Sequence, residues 1–219
     1  EGDQRDFFRK SFNVSHEKMV NFDKYVKILL NYQKKINLIG KGTLKKIWIR
    51  HFCDSAMLLN PILKDFKSLN KTTVLDIVSC VVFPGVVLAI LFLEKKKTIK
   101  VSLVDSNLKK INFLKELVLK LNLNVEIIHA RAEKIVGRKF DIIISRAVAS
   151  LDKLMQISKP FCQSKSVMFF LKGKTWESEL KIIKKKWKSY KIVVKNNLDV
   201  DNSGGVILII KSPIHKKSD

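Results

Sequence analysis

The sequence predicts an α/β protein with a mostly parallel, seven-stranded sheet, helices on both faces and an N-terminal helical extension. Two observations carry this prediction. From Thr72 onward, short runs rich in β-branched residues alternate with longer runs of helical periodicity, which is typical of strands joined by helices. Before Thr72, apolar residues recur at helical spacing. The predicted strands are Val74–Ile77, Lys100–Asp105, Val125–His129, Asp141–Ser145, Ser166–Leu171, Ser189–Val194 and Gly205–Lys211.

The N-terminal part predicts two helical segments. A polar joint, KKINLIGKGT, separates the first from a second run, Leu44–Leu59, which we expect to end at Asn60-Pro61 because proline disrupts a helix interior. We therefore divide the chain into a helical extension (1–71), an α/β domain (72–211) and a polar tail (212–219). The apolar stripe of the first segment consists of Val20, Phe22, Tyr25, Val26, Leu29 and Tyr32.

Two local patterns refine the α/β part. Leu108–Leu121 places its apolar residues on one face and is predicted to be an amphipathic helix. The last two strands are joined by NNLDVDNSGG, a loop with Gly204-Gly205, so they could form an antiparallel hairpin at one end of the sheet.

The chain is strongly basic. It has 43 Lys and Arg against 20 Asp and Glu among 219 residues, a formal net charge of +23. Such an excess favours a polyanionic partner, either nucleic acid or an acidic membrane surface. The basic residues are mostly lysine and the chain is also rich in Ile and Asn, so the compositional bias of an AT-rich genome explains the charge equally well.

Two function classes are disfavoured by the sequence. Cys53, Cys80 and Cys162 lie far apart without a CxxC pair, which argues against a zinc site or a disulfide framework and favours a reducing cytosol. The longest apolar run, Val81–Leu93, contains Pro84-Gly85 and is too short to span a bilayer.

Acidic residues end the first two predicted strands. In an open parallel sheet, ligands bind beyond the carboxyl ends of the strands. An acid at the end of the second strand, here Asp105, can accept both hydroxyls of a ribose. Each acid taken alone has a simpler explanation: Asp76 could cap the helix or turn after its strand, and Asp105 with Ser106 could cap Leu108–Leu121. The pair favours a nucleoside-type ligand.

Basic residues follow the next three strands. Arg131 and Arg146 stand out because the chain has six arginines only, and arginine binds planar or phosphate groups in a fixed fork. A solvated lysine is the simpler interpretation of Lys172, and His129 has no second histidine or cysteine nearby in sequence. The sequence contains no Ser-His-Asp arrangement, no paired glutamates on one helix face and no HExxH motif.

These segments, taken in order, resemble the RsmG family (glucose-inhibited division protein B) of bacterial 16S rRNA guanine-N7 methyltransferases. The similarity runs from about the first helix to the last strand. No single motif is decisive, but the ordered set is specific. It rests on Asn37-Leu38 in KKINLIG, Arg50-His51 and Asp54-Ser55 in IRHFCDS, VLDI followed by FPG, LVDSNLKKINFLKEL, HARAEK, FDIIISRAVASL and LKGK.

The resemblance implies a Rossmann-like S-adenosylmethionine-dependent methyltransferase fold and methyl transfer to N7 of a guanine in 16S rRNA of the small ribosomal subunit. We accordingly expect a cytoplasmic monomer that binds no membrane. Guanine N7 has an in-plane lone pair and needs no general base, which fits a site with cations but no acid-base pair. By resemblance, the cofactor pocket is formed by Asp76, Val78, Phe83, Gly85, Asp105, Ala132, Glu133 and Arg146. The positions implied to act on the RNA or the target base are Asn37, Arg131, Arg146 and Lys172.

The loop after the first strand departs from the family pattern, G-[ST]-G-x-G-[FL]-P-G. Val78, Cys80 and Val82 stand where glycines belong, although Ser79 and Phe83-Pro84-Gly85 are kept. Glycine permits a positive φ and a close approach of the backbone to a ligand, and a β-branched residue does not. Two functions therefore fit the sequence: a methyltransferase with weakened cofactor binding, or an RNA-binding relative that acts on the small subunit without methylating it.

Overall fold

In the computed structural model, residues 2–66, 71–77, 83–94, 99–146, 149–196, 205–211 and 213 are described. Seven strands form one sheet in the order β3-β2-β1-β4-β5-β7-β6. β1 to β5 pair in parallel, and β7 runs antiparallel to both β5 and β6, so the predicted hairpin is confirmed. The strands are β1 Thr73–Ile77, β2 Lys100–Asp105, β3 Val125–His129, β4 Phe140–Arg146, β5 Cys162–Lys172, β6 Lys191–Asn196 and β7 Val206–Lys211.

Helices cover both faces of this sheet. Residues alternate along each strand, so Val74 and Ile142 belong to one apolar cluster while Leu75 and Ile143 belong to the other. The first cluster contains side chains of α2, α5 and α6, and the second contains side chains of α7 and α8. The helices are α1 Gly2–Ser11, α2 His16–Gln33, α3 Asp54–Ala56, α4 Leu59–Asp65, α5 Gly85–Glu94, α6 Leu108–Lys120, α7 Leu151–Ser158 and α8 Trp176–Lys186. This architecture confirms the predicted fold class.

Polar side chains mark where the longer helices begin. The Ser15 hydroxyl accepts the Lys18 N–H at the start of α2, and the Asn107 side chain accepts two backbone N–H groups at the start of α6. Asn107 is therefore the cap of α6. The alternative that Asp105 with Ser106 caps this helix was wrong, since Asn107 fills that position.

The second N-terminal helical run differs from its prediction. Lys41–Lys46 is a 3-10 turn and Trp48–Cys53 a wide π-helical turn, followed by the short α3. The π-helical turn buries five of its six residues, so the segment has no single apolar face from which its shape could be predicted. Pro61 does not end the run but lies in the first turn of α4. The N–H groups of a first turn have no acceptor within the helix, so proline costs no hydrogen bond there.

The N-terminal helices pack onto the α/β part through aromatic rings. Tyr25 of α2 stacks on Phe83 with 5.4 Å between ring centroids, and Phe52 meets Phe83 edge-on at 5.2 Å. Phe8 of α1 contacts Phe22 and Phe52 in the same cluster. The extension and one face of the sheet therefore share a core. No helix within the described ranges is both long and apolar enough to cross a bilayer.

Candidate functional site

The carboxyl end of β1 brings Asp76 and Gly85 into close contact. Asp76 is fully buried, and one of its carboxylate oxygens, Oδ2, accepts the Gly85 N–H at 2.7 Å. A Cβ at position 85 would lie 2.6 Å from this oxygen and 2.5 Å from a Leu103 methyl group. Only glycine fits there. The capping interpretation of Asp76 thus holds for one of its two oxygens.

The other carboxylate oxygen of Asp76, Oδ1, is buried and accepts no hydrogen bond from the described part of the chain. Burial, with a further contribution from the nearby Asp105 carboxylate, raises the pKa of Asp76 to about 7, against the opposing effect of the Gly85 N–H. A buried acceptor without a donor is unfavourable in the protein alone. This oxygen is therefore suited to a ligand that brings a hydroxyl or ammonium donor.

Asp105 at the end of β2 has a similar arrangement. Its Oδ1 accepts the Asn107 N–H at 2.7 Å, which fixes the carboxylate at the start of the turn into α6. Its Oδ2 is buried and accepts no hydrogen bond within the described residues, with the Lys110 ammonium 3.5 Å away. Two adjacent strand ends thus each present one buried oxygen without a hydrogen bond from the described chain, and that of Asp105 faces the Lys110 ammonium.

Arg146, at the end of β4, is held by the N-terminal extension. Its guanidinium donates to Nδ1 of His51 at 2.7 Å and to Oδ2 of Asp54 at 3.2 Å. It also donates to the carbonyl oxygen of Arg50. Only about one sixth of its side chain is exposed. The orientation of this guanidinium is therefore fixed by the π-helical turn and the start of α3.

His51 connects Arg146 to Thr43 of the extension through a second hydrogen bond. Because Arg146 donates to Nδ1, the remaining proton of a neutral ring lies on Nε2, which donates to the Thr43 hydroxyl at 2.8 Å. The Thr43 hydroxyl in turn donates to the Gly40 carbonyl at 2.8 Å. Burial, together with the neighbouring Arg146 and Arg50 charges, lowers the pKa of His51 to about 2, so the ring stays neutral. Phe83 stacks against it with 5.0 Å between centroids.

Lys172, at the end of β5, makes a buried ion pair. Its ammonium donates to the Ala149 carbonyl and to Glu179, both at 2.8 Å. Burial acts to raise the pKa of Glu179, but the Lys172 ammonium and the Leu151 N–H outweigh it, and the pKa is lowered. Lys172 thereby ties the end of β5 to the starts of α7 and α8. Its predicted contact with RNA or the target base stays a prediction.

The remaining predicted residues differ in exposure. Arg131, after β3, is exposed and makes no ion pair with the described chain. Ala132 and Glu133 form a 3-10 turn in which Glu133 lies 3.8 Å from Lys153. Asn37 is exposed, and its side-chain oxygen accepts from the Gln33 amide at 3.1 Å. The predicted cofactor residue Val78, like Cys80 and Val82 of the same loop, lies outside the described residues, as does most of the predicted tail.

A family model described as rRNA small subunit methyltransferase G (GidB) matches residues 18–204. The chain belongs to this family. It is 34% identical to a ribosomal RNA small subunit methyltransferase G of Mycoplasma capricolum, over 89% of this chain and 82% of that protein. It is 32% identical to the protein of that name in Methylobacterium sp. strain 4-46, over 94% of each. Among solved structures, a Listeria monocytogenes protein assigned to the class I S-adenosylmethionine-dependent methyltransferases shares the fold, with a TM-score of 0.65, 12% identity and coverage of 94% of this chain and 71% of that one.

The residues of this GidB-family chain fit S-adenosylmethionine, the cofactor of these methyltransferases. The molecule carries ribose hydroxyls and an ammonium group, which are the donors that the unused oxygens of Asp76 and Asp105 lack. The two residues lie at the carboxyl ends of neighbouring parallel strands, at the edge where open α/β sheets bind ligands. Asp76, Gly85 and Asp105 would hold the cofactor side of the site, and Arg146 the side facing the extension.

The residues that orient the predicted side chains are not apparent from the sequence alone. His51 and Asp54 lie in IRHFCDS and Thr43 in KKINLIGKGT, but neither motif indicates their role, and no motif marks Glu179. The available signal was the spacing of His51 and Asp54, three residues apart within an otherwise apolar helical run. Their common target, Arg146, lies 92 to 95 residues away in sequence, so local pattern does not identify it.

Proposed function

We propose that this chain transfers the methyl group of S-adenosylmethionine to N7 of a guanine in the 16S rRNA of the small ribosomal subunit. The observation that carries the proposal is the pair of buried acceptors on Asp76 and Asp105, at the sheet edge that also bears the held Arg146. Family membership supports the substrate class. We further propose that it acts as a monomer in the cytoplasm.

Methyl transfer to N7 requires no general acid or base from the protein. When bound, S-adenosylmethionine supplies an electrophilic methyl group on a sulfonium; the C–S bond breaks as a bond forms from N7 to the methyl carbon. Guanine N7 uses its in-plane lone pair, so no proton has to be removed first. The neutral His51 and the paired Lys172 are compatible with this, since neither is poised to take a proton. Catalysis then depends on positioning.

Arg146 is the residue best placed to position the substrate. A guanidinium fixed by His51, Asp54 and a backbone carbonyl presents a cation with little freedom to turn. Such a group can receive a phosphate, or O6 of guanine with the N7 lone pair left free to attack. Arg131, exposed and without an ion pair to the described chain, suits a more mobile phosphate contact.

The test is transfer of a labelled methyl group to small ribosomal subunits and to 16S rRNA, followed by mapping of the modified base. We expect label at N7 of a single guanine, and loss of label with Asp105→Ala. Transfer to another RNA or another base atom would refute the assignment. The matched control is Asp65→Ala, which removes a carboxylate paired with Lys211 on the surface, away from the strand ends that carry the site.

The glycine-poor loop favours a second candidate, an RNA-binding relative that no longer methylates. Calorimetric titration with S-adenosylmethionine separates the two: this candidate predicts no binding at millimolar cofactor together with intact RNA binding. Restoring the loop with Val78→Gly, Cys80→Gly and Val82→Gly then shows whether the loop is the cause. A sharp rise in cofactor affinity would assign the defect to these three side chains. An unchanged affinity would show that they do not cause it.

A further inference from the structure

The outward face of α2 forms one wall of a groove. Residues 27, 30, 31 and 34 recur at the spacing of one helix face, and the 3-10 turn Lys41–Lys46 forms the opposite wall with Lys41 and Leu44. The groove has a volume of about 640 Å³. Leu30 keeps 39% of its surface exposed there, although the opposite side of α2 is buried. This side of α2 thus carries one exposed leucine among polar and basic side chains.

The groove is positively charged and lacks carboxylates. Lys27, Lys34 and Lys41 line it, together with two leucines and the amides of Asn31 and Gln33. All three lysines are exposed, and none makes an ion pair with the described part of the chain. The nearest acid of α2, Asp23, is already bound by Arg5 through two hydrogen bonds of 2.7 and 2.8 Å. The positive charge of the groove is therefore not neutralised locally.

Hydrogen bonds connect the groove to the candidate site. The Gln33 side chain accepts the N–H groups of Leu38 and Ile39 and so fixes the chain that leads to Gly40. From Gly40 the interactions continue through Thr43 and His51 to Arg146 at the end of β4. The groove is therefore linked to Arg146 through hydrogen bonds of the segment that follows α2.

We infer that this groove is a docking surface for the RNA backbone, with Lys27, Lys34 and Lys41 each contacting a phosphate. Lysine is a flexible point charge that binds phosphate without reading sequence. Lys27 and Lys34 lie about 10 Å apart along the helix axis, which spaces their contacts over neighbouring nucleotides. Leu30, exposed between Lys27 and Lys34, covers the less polar sugar surface. This deepens the proposed function, because it names the surface by which the substrate RNA is held before its guanine reaches Arg146.

The experiment compares two triple variants in direct RNA binding. The first is Lys27→Gln/Lys34→Gln/Lys41→Gln. The second, Lys181→Gln/Lys184→Gln/Lys185→Gln, removes three exposed lysines from α8, which packs on the opposite face of the sheet and also exposes an apolar side chain, Ile182. The two variants change the net charge equally, so general attraction between protein and RNA falls equally in both.

The measurement is the dissociation constant for 16S rRNA fragments and for whole small subunits, between ~50 and ~200 mM salt. Each phosphate contact to single-stranded RNA contributes about 0.7 to the slope of log K against log salt, so the groove variant should lose about 2 from that slope. We expect the α8 variant to keep the wild-type slope. Binding of S-adenosylmethionine, measured by calorimetry, should not change in either.

Three outcomes would overturn the inference. Equal changes in both variants would show that only total charge matters. An unchanged slope in both would show that RNA avoids the groove. Lost binding to whole subunits with unchanged binding to naked RNA would identify a ribosomal protein as the occupant. RNA binding is measured directly and does not require methyl transfer. A chain that binds RNA through the groove but does not methylate it would therefore contradict the proposed function and leave the docking surface supported.

Discussion

The two halves of the candidate site satisfy their polar groups in opposite ways. At the ends of β1 and β2, Asp76 and Asp105 each have one oxygen bonded to a backbone N–H and one buried oxygen that accepts no hydrogen bond from the described chain. At the ends of β4 and β5, Arg146 and Lys172 are each bound by at least two protein groups. The acidic half is incomplete without a ligand, whereas the basic half is built in advance. This difference supports the proposal that cofactor binding and substrate positioning belong to different strand ends.

The largest effect is expected at Lys172. Lys172→Met leaves the half-buried Glu179 without its cation, and breaking this pair costs about 2–3 kcal/mol of the free energy of unfolding, toward the lower end of the range for buried pairs. Urea denaturation measures it. Adding Glu179→Gln should recover part of the loss, because no charge is then buried alone. Wild-type stability together with lost methyl transfer would instead assign Lys172 to the reacting groups.

A smaller effect is expected at His51, where two substitutions separate its two hydrogen bonds. Asn can present an oxygen close to the position of Nδ1, so His51→Asn should keep Arg146 oriented; His51→Ala should not, at a cost of about 1–3 kcal/mol. We expect kcat for methyl transfer to fall in the Ala variant and to be largely rescued in the Asn variant, with cofactor affinity unchanged in both. Equal losses of kcat in the two would show that ring packing on Phe83, and not the hydrogen bond, is what matters.

Asp76 should make stability depend on pH in a direction opposite to that of His51. Burial raises the pKa of Asp76 from 3.8 to about 7, so between these values the folded state holds a proton that the unfolded state has released. The contribution of Asp76 to the free energy of unfolding therefore falls as pH rises, by at most about 1.4 kcal/mol per pH unit. The pKa of His51 is lowered from 6.5 to about 2, so its contribution rises with pH over that window.

Thermal unfolding from pH 4 to 8 separates these two contributions. Asp76→Asn should remove the falling slope and stabilise the ligand-free protein near neutral pH, while it weakens cofactor binding. His51→Asn should remove the rising slope below pH 6.5. An Asp76→Asn variant that unfolds with the same pH dependence as the wild type would mean that this carboxylate is not buried in solution.

The smallest change in stability is expected at Asp105. Asp105→Asn keeps an oxygen that can accept the Asn107 N–H and loses only the charge facing Lys110, at a cost of about 1 kcal/mol or less. Affinity for S-adenosylmethionine, measured by calorimetry, should nevertheless fall at least tenfold. Unchanged affinity would remove Asp105 from the cofactor site, and a large loss of stability would place it with the structural group of Arg146 and Lys172.

The sequence predicts where the strand-end side chains lie better than it predicts what holds them, for a physical reason. Alternation of strands and helices fixes where each strand ends, so β2 and β3 were predicted to the residue and their terminal side chains followed. The partners of a terminal side chain come from elsewhere in the chain. Arg146 was predicted, but His51, which orients it, lies in a π-helical turn whose shape no periodicity indicates. The glycine-poor loop that contains Val78 lies outside the described residues, so its predicted role in cofactor binding stays a prediction.

The contact between Asp76 and Gly85 has a consequence for how the history of the chain is interpreted. A decaying enzyme is expected to lose first the residues that serve only its chemistry. Gly85 is required by the bulk of Asp76 and Leu103, whether or not the protein still methylates. Its survival beside three missing glycines is therefore uninformative about activity. Selection for a folded protein alone would retain it.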